Sequence, residues 1–512
     1  MNAKLSSLKA HFANWREWEL NPIVIKELRQ GVRSWTVTGM LLLFLVILFL
    51  ASLGFLISES FEINPNLGLG GVMFTWFMAI LAGASIIFVP LYTGVRVAAE
   101  RQENNPDLLY VTTLSPARII WGKYLCSAYI VLLFFSACMP FMAFTNLLRG
   151  VDLPTVFFIL IFLFLVVSAA NMAAIFLACL PASRPFKFLF VLGGLAASIG
   201  LIAGWVSISM NLMRSGVGAM MTGRDFWTIS LTVAAILIAL SGLLFVLSVA
   251  LISPPSANRA LPIRIYLTGF WLIGGVAALS WVIQTGEADR LLVWVYPTFI
   301  TLLLALLVTV SNSDQLSQRV RNKIPAAGLK RFLAFFFFNG AAGGLLWIAG
   351  LVAATYFVTR AVFAAFPVPR GMTFDDDSWH ILLTLANYAF AYALLALFLQ
   401  RKFLPRRPPK LAGLLAIFLA GGWAIAPSIF LFFVNRLTWK SVEGLQLGNV
   451  FNVFFTREPA QMSYHQYFAS AWLLVMAALN GRWFWRQVQN FHSSKAVEPA
   501  PAAATPPPMK AA

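Results

Sequence analysis

Charge is what this sequence has least of. Only 11% of its 512 residues are Asp, Glu, Lys or Arg, against about 25% in an ordinary soluble domain. Acids are scarcer still, with 19 Asp and Glu against 37 Lys and Arg. Cysteine is nearly absent. Cys126, Cys138 and Cys179 all sit inside apolar runs, at spacings that fit neither a metal site nor a disulfide framework, and they read as small core residues. A secretory leader is not expected, since the first apolar run begins only near Val37 after a long polar stretch. What replaces charge is grease: 60% of the chain is hydrophobic, including 46 Phe. That surplus does not fit inside one water-soluble core. It suits a chain whose solvent is lipid, where each crossing helix needs about 20 apolar residues.

The expected fold is therefore all-α, a polytopic integral membrane protein with about 12 transmembrane helices. The candidate spans are 37–57, 71–94, 124–147, 153–180, 188–210, 227–252, 265–282, 291–310, 332–358, 381–399, 411–434 and 467–481. With the N-terminus inside, roughly three-quarters of the basic residues fall in inside loops, as the positive-inside rule expects. Glu59, Glu62, Glu287, Asp289 and Asp375 to Asp377 fall outside. Trp35, Trp121, Trp227 and Trp379 lie near span ends, as interfacial belts require. This places the chain in a bacterial-type plasma membrane with both termini cytosolic. The basic residues form no stripe or tail, so the net charge of +18 does not point to nucleic acid.

The pattern divides into two halves. Residues 1–35 read as a cytosolic amphipathic elbow and 36–252 as a first six-span domain with a cytosolic segment at 95–123. Residues 253–264 read as a linker and 265–482 as a second six-span domain. Residues 483–512 read as a disordered Pro/Ala-rich cytosolic tail. In each half a basic polar stretch separates the second and third spans, at 100–123 and 312–331.

Two stretches of the first half carry chemistry. In "NPIVIKELRQGVRSW" Asn21 can cap a helix and Pro22 suits its first position. Ile25, Leu28, Val32 and Trp35 share one face and Lys26, Arg29 and Arg33 another, the pattern of a helix lying in the membrane interface. In "ERQENNPDLLYVTTLSPARIIWGKYL" the charged end of the second span carries Glu100 and breaks at Asn104-Asn105-Pro106. Asp107 to Thr113 then read as a short helix. Ser115 caps a third helix that has Pro116 at its first position. A knob of this kind offers apolar residues to water unless another protein holds it.

Both stretches resemble the type-2 ATP-binding-cassette permeases. In "NPDLLYVTTLS", Asp107 stands where that family has Glu, while Leu108, Leu109, Leu114 and Ser115 match its leucines and its L-S pair. Gly122-Lys123 match its G-K pair, and "NPIVIKELR" resembles its elbow. Asn105-Pro106 replace the family's T-L, and Thr113 replaces a Pro. The likeness covers about the first quarter of the chain, and "SNSDQLSQRVRNKIPAAGLKR" in the second half lacks the motif.

The resemblance implies the membrane subunit of an ATP-driven exporter. Glu100, Asp107, Leu108, Leu109, Leu114 and Ser115 would contact a separate ATPase subunit, and Lys26, Glu27 and Arg29 would belong to the elbow. No Gly-x4-Gly-Lys-Ser/Thr loop occurs, so ATP would be bound by that partner and no cofactor by this chain. The resemblance leaves open a homodimer or a second permease chain. An ion-coupled carrier is the rival reading, but no Asp, Glu, Lys or Arg falls within a span core. A membrane enzyme is the other rival. The acids of "RGMTFDDDSWH" offer cation ligands, but they stand alone and no nucleophile–base pairing accompanies them, so the chain reads as a non-enzyme.

Overall fold

The structure is a computed structural model that describes residues 22–57, 69–103, 115–148, 151–181, 184–366, 376–434, 446–455 and 459–493. Every regular element among them is helical. Eleven helices are long and apolar enough to cross a membrane. Chain contacts divide the protein into two units, residues 1–254 and 255–512, at the Pro254-Pro255 pair.

In the first unit α1 (Pro22–Val32) precedes the span α2 (Trp35–Ile57). The next span is compound. α3 (Leu69–Gly83) passes through a π-helical turn at Ala84–Phe88 into α4 (Val89–Glu103). Pro90 follows that turn directly and has no N–H to offer the preceding carbonyls, a standard cause of a local change in helix pitch. Then come α5 (Pro116–Leu147), α6 (Leu153–Cys179), α7 (Arg184–Ser215), the short α8 (Val217–Met220) and α9 (Arg224–Ile252). The core between α2, α3, α5 and α6 is aromatic. Phe44 and Phe134 meet edge to face at 5.1 Å, Phe77 and Phe141 at 5.8 Å. Phe74, Phe77, Phe134, Leu48 and Met73 are fully buried. The outward faces are apolar as well: Phe188, Ile199 and Ile238 are exposed, as they are when acyl chains rather than water surround the helix.

The second unit runs α10 (Ala260–Thr285), a 3-10 turn at Ala288–Leu291, α11 (Leu292–Val310), α12 (Gln318–Arg321), α13 (Gly328–Phe337), α14 (Ala341–Ala365), α15 (Asp376–Phe403), α16 (Leu411–Val434), α17 (Asn452–Phe455) and α18 (Pro459–Gln489). Hydroxyl and indole bonds tie its helices together. Trp271 Nε1 donates to Thr355 Oγ1 at 2.8 Å and Trp347 Nε1 to Thr268 Oγ1 at 2.9 Å. Such bonds hold helices where lipid removes the hydrophobic drive between them. Close approach uses glycine. A Cβ on Gly344 would run into Thr309 and the Arg264 guanidinium, and one on Gly413 into Ser311.

Three boundaries differ from the sequence reading. The span expected at 332–358 starts instead at Ala341, because Asn339 and Gly340 interrupt the apolar run. Gly340 has φ +131°, and the buried Arg264 donates to the carbonyls of Phe336, Phe338 and Gly340. Asn339 accepts from Ala260 N–H and donates to Ala257 O. The residues ahead of this clamp form the separate amphipathic helix α13. The span expected at 467–481 lies within α18, a helix of 31 residues that is not one of the apolar eleven. The tail expected from 483 starts later, because α18 continues to Gln489 and Phe491 is buried against Phe335 and Phe338. Aromatic burial holds these residues, and only 494–512 of the expected tail lie outside the described residues.

Candidate functional site

The site of the first unit is a charged cluster where α1, α4 and α5 meet. Each helix brings its charge by its own local logic. On α1, Val24, Glu27 and Gly31 share the inward face at helical spacing and are buried. Ile25, Val32 and Trp35 are exposed, and so are Lys26 and Arg29. Tyr92, Arg96 and Glu100 follow one another every four residues along one face of α4. Ser115 starts α5: its hydroxyl accepts from Arg118 N–H at 3.4 Å and Pro116 follows at the first helical position. That fixed start sets Lys123 two turns in, where it is 9% exposed.

Lys123 is the hub. Its ammonium lies 3.0 Å from Glu27 Oε1 and is also paired with Glu100 Oε2. Arg96 lies 3.5 Å from the other Glu27 oxygen and donates to Gln30 Oε1 at 2.6 Å and to Tyr92 Oη at 2.8 Å. Its guanidinium also sits over the Tyr92 ring, 5.5 Å from the centroid. Two cations thus face two carboxylates. Glu27 is only 5% exposed, so its charge is sustained by these partners rather than by water. A cavity of about 20 Å³ between Glu27, Arg96, Lys123 and Ser127 has room for one water molecule.

The four charged groups of the cluster, Glu27, Arg96, Glu100 and Lys123, are all ion-paired. The cluster ties α1 to α4 and α5, the two helices on either side of residues 104–114.

The sequence-derived candidates fare unequally. Glu27 and Glu100 come together through Lys123. Lys26 and Arg29 are exposed, and Lys26 acts on Glu100 electrostatically without pairing with it in a salt bridge. Ser115 is a helix cap at the edge of the segment. Asp107, Leu108, Leu109 and Leu114 lie outside the described residues. Sequence reasoning met Lys123 only as half of the Gly-Lys pair and gave no role in a site to Arg96, Tyr92 or Gln30. The signal for Lys123 was present as the second and last cation of α5, eight residues after the helix cap and followed only by apolar and small polar residues. Its partners were too far off in sequence to be read.

A second polar network lies in the second unit. His465 is fully buried and bonds Tyr388 Oη through Nδ1 at 3.0 Å and Asn452 Oδ1 through Nε2 at 2.9 Å. Gly448 N–H donates to Tyr388 Oη at 3.1 Å, and Tyr392 Oη donates to Gly448 O at 2.7 Å. The network pins residues 446–452 onto α15 and α18. The acids Asp376 and Asp377 sit in the first turn of α15, but Asp375 and the preceding residues lie outside the described ones.

No family model, no curated protein and no solved structure matches this chain.

Proposed function

We propose that the chain is the membrane-spanning permease subunit of an ATP-driven exporter, powered by a separate ATPase that grips residues 104–114. The observation that carries this reading is the Glu27–Lys123–Glu100–Arg96 cluster. The two stretches that resemble type-2 ATP-binding-cassette permeases are far apart in sequence, yet their charged residues pair. In such a machine the elbow and the coupling segment must move together, and a buried, charge-balanced junction transmits force without slack. Closure of the ATPase dimer would press on 104–114 and tilt α4 and α5 with α1 in tow. Cargo would then leave outward or sideways into lipid.

The test is co-purification and transport. The chain is expressed with an ATP-binding-cassette ATPase encoded beside it, and Asp107→Lys and Leu108→Asp are compared with the native protein. Both variants should insert normally and lose the ATPase. Unchanged co-purification would remove the assigned contact. Cargo movement by the purified chain in vesicles without ATPase or nucleotide would remove the whole reading.

A further inference from the structure

The second unit contains a cavity of about 780 Å³ between α11, α14, α15 and α18, within the usual range for a small-molecule site. Its wall follows α14 from Leu345 to Thr359, a length of about 21 Å at the α-helical rise. That exceeds the ~15 Å that one leaflet contributes to a ~30 Å hydrocarbon core. Most polar groups in the wall, the Tyr356 hydroxyl apart, are already engaged. Asn387 donates to Ser470, Thr355 and Thr359 donate to carbonyls of their own helix, and Asn480 donates to Leu394 O and Met476 O. What remains facing the space is apolar. Phe357 and Leu474 in the wall are 68% and 71% exposed, so the cavity opens on its flank, toward lipid.

One end is different. Trp483 and Asn480 form part of the wall there, and Arg401 lies against both. Its Nη2 donates to Asn480 Oδ1 and its guanidinium stacks on the Trp483 ring at 4.0 Å. Its Nη1 is buried and has no hydrogen-bond partner. Lys402 stands beside it on α15, and Arg482 and Arg486 are on the neighbouring end of α18. The acid at this end is Asp314, which accepts from Trp483 Nε1 at 2.8 Å, has its other oxygen buried, and acts electrostatically on Arg401. Four cations still outnumber that one carboxylate.

We propose that this cavity binds an anionic phospholipid, with an acyl chain along the apolar wall and the phosphate at the cationic end around Arg401. Length, side opening and a cation at one end fit an amphiphile and do not fit a compact polar solute. The site is complete within the second unit. It stands apart from the ATPase reading, so it is tested with neither ATPase nor nucleotide present.

The full chain is placed in phosphatidylcholine nanodiscs doped with phosphatidylglycerol that carries a photoreactive acyl chain. Labelling should concentrate on peptides of α14, α15 and α18 and should fall at least tenfold when unlabelled phosphatidylglycerol competes. Ala349→Trp, which fills the cavity, should remove it to a similar degree. Arg401→Gln should keep the acyl labelling but bring the preference over a phosphatidylcholine probe down to near one. Labelling that does not saturate, or that spreads equally over the exposed faces of α7 and α9, would reduce the occupant to ordinary annular lipid and overturn the proposal. Equal labelling by both probes in the native chain would overturn the role of Arg401. Competition by unlabelled lipid needs no variant, so a failure of Ala349→Trp to fold leaves the proposal open to refutation.

Discussion

Lys123 Nζ lies 3.0 Å from Glu27 Oε1, although 96 residues separate them in the chain. The pair is buried, and the elbow helix has no other carboxylate facing inward. Removing Glu27 leaves Lys123 with Glu100, which is more exposed, and leaves Arg96 with neutral partners. Glu27→Ala should therefore cost about 3–5 kcal/mol of stability, the usual penalty for orphaning a buried charge. Thermal unfolding in detergent measures it. The reversed pair Glu27→Lys with Lys123→Glu should recover part of the loss. If the double variant is no better than the sum of the singles, the two residues are not coupled.

Tyr388 ties Gly448 to His465. Because the Asn452 oxygen also accepts from Gln446 N–H, His465 Nε2 is the nitrogen that carries hydrogen, and Nδ1 accepts from the tyrosine. Tyr388→Phe leaves both the glycine N–H and the imidazole nitrogen unsatisfied in a buried site. A loss of about 1–3 kcal/mol is expected. Hydrogen exchange at residues 446–452 should rise with it. A variant with unchanged protection there would show that the segment is held by other contacts.

Asn171 is fully buried on α6, and neither its amide nitrogen nor its oxygen has a hydrogen-bond partner. Ser168, one turn away, has an unpaired hydroxyl as well. A structural role alone does not explain such a group, since Leu fills similar space without the desolvation cost. Asn171→Leu should leave stability equal or higher by about 1 kcal/mol. Reconstituted transport by the same variant separates the explanations. Higher stability with lost transport assigns the amide to function, and higher stability with intact transport makes it a tolerated defect.

Asp314 lies outside the membrane spans, and burial raises its pKa above the ordinary 3.8, against the opposing effects of Trp483, the Ala341 N–H and Arg401. A carboxyl raised on folding contributes most below its unfolded pKa and loses that contribution as pH rises through its folded pKa. The native chain should therefore lose a little stability on going from about pH 4 upward through the weakly acidic range, where the buried carboxyl ionises. Asp314→Asn retains an acceptor for Trp483 and should flatten that slope. A thermal midpoint that falls at pH 7 in this variant would show instead that the ionised carboxylate and Arg401 stabilise one another.

Legibility in the sequence followed the range of the interactions. Span positions depend on composition over some 20 residues, and the helical, membrane-crossing architecture could be read from that alone. The start of α5 depends on adjacent residues, Ser115 and Pro116, and was equally plain. Asn339 and Gly340 were harder. A Gly within an apolar run is common in membrane helices, and what makes this one a break is the Arg264 clamp from 76 residues away. The long-range partners of Lys123, Arg96 and His465 were beyond reach for the same reason. Hydropathy assigns each residue to a segment but says nothing about which segments touch. The apolar cavity was invisible on the same grounds, because the residues that line it look like every other span residue until four helices enclose them.

The π-helical turn at Ala84–Phe88, set against Pro90, gives one crossing a built-in joint partway along its length. Below the joint lies the piece that holds Arg96 and Glu100, bound to α1 and α5. Above it lies Phe77, locked in the aromatic core. Under the proposed function, a push at the charged end would meet this wide turn before it reached the aromatic core.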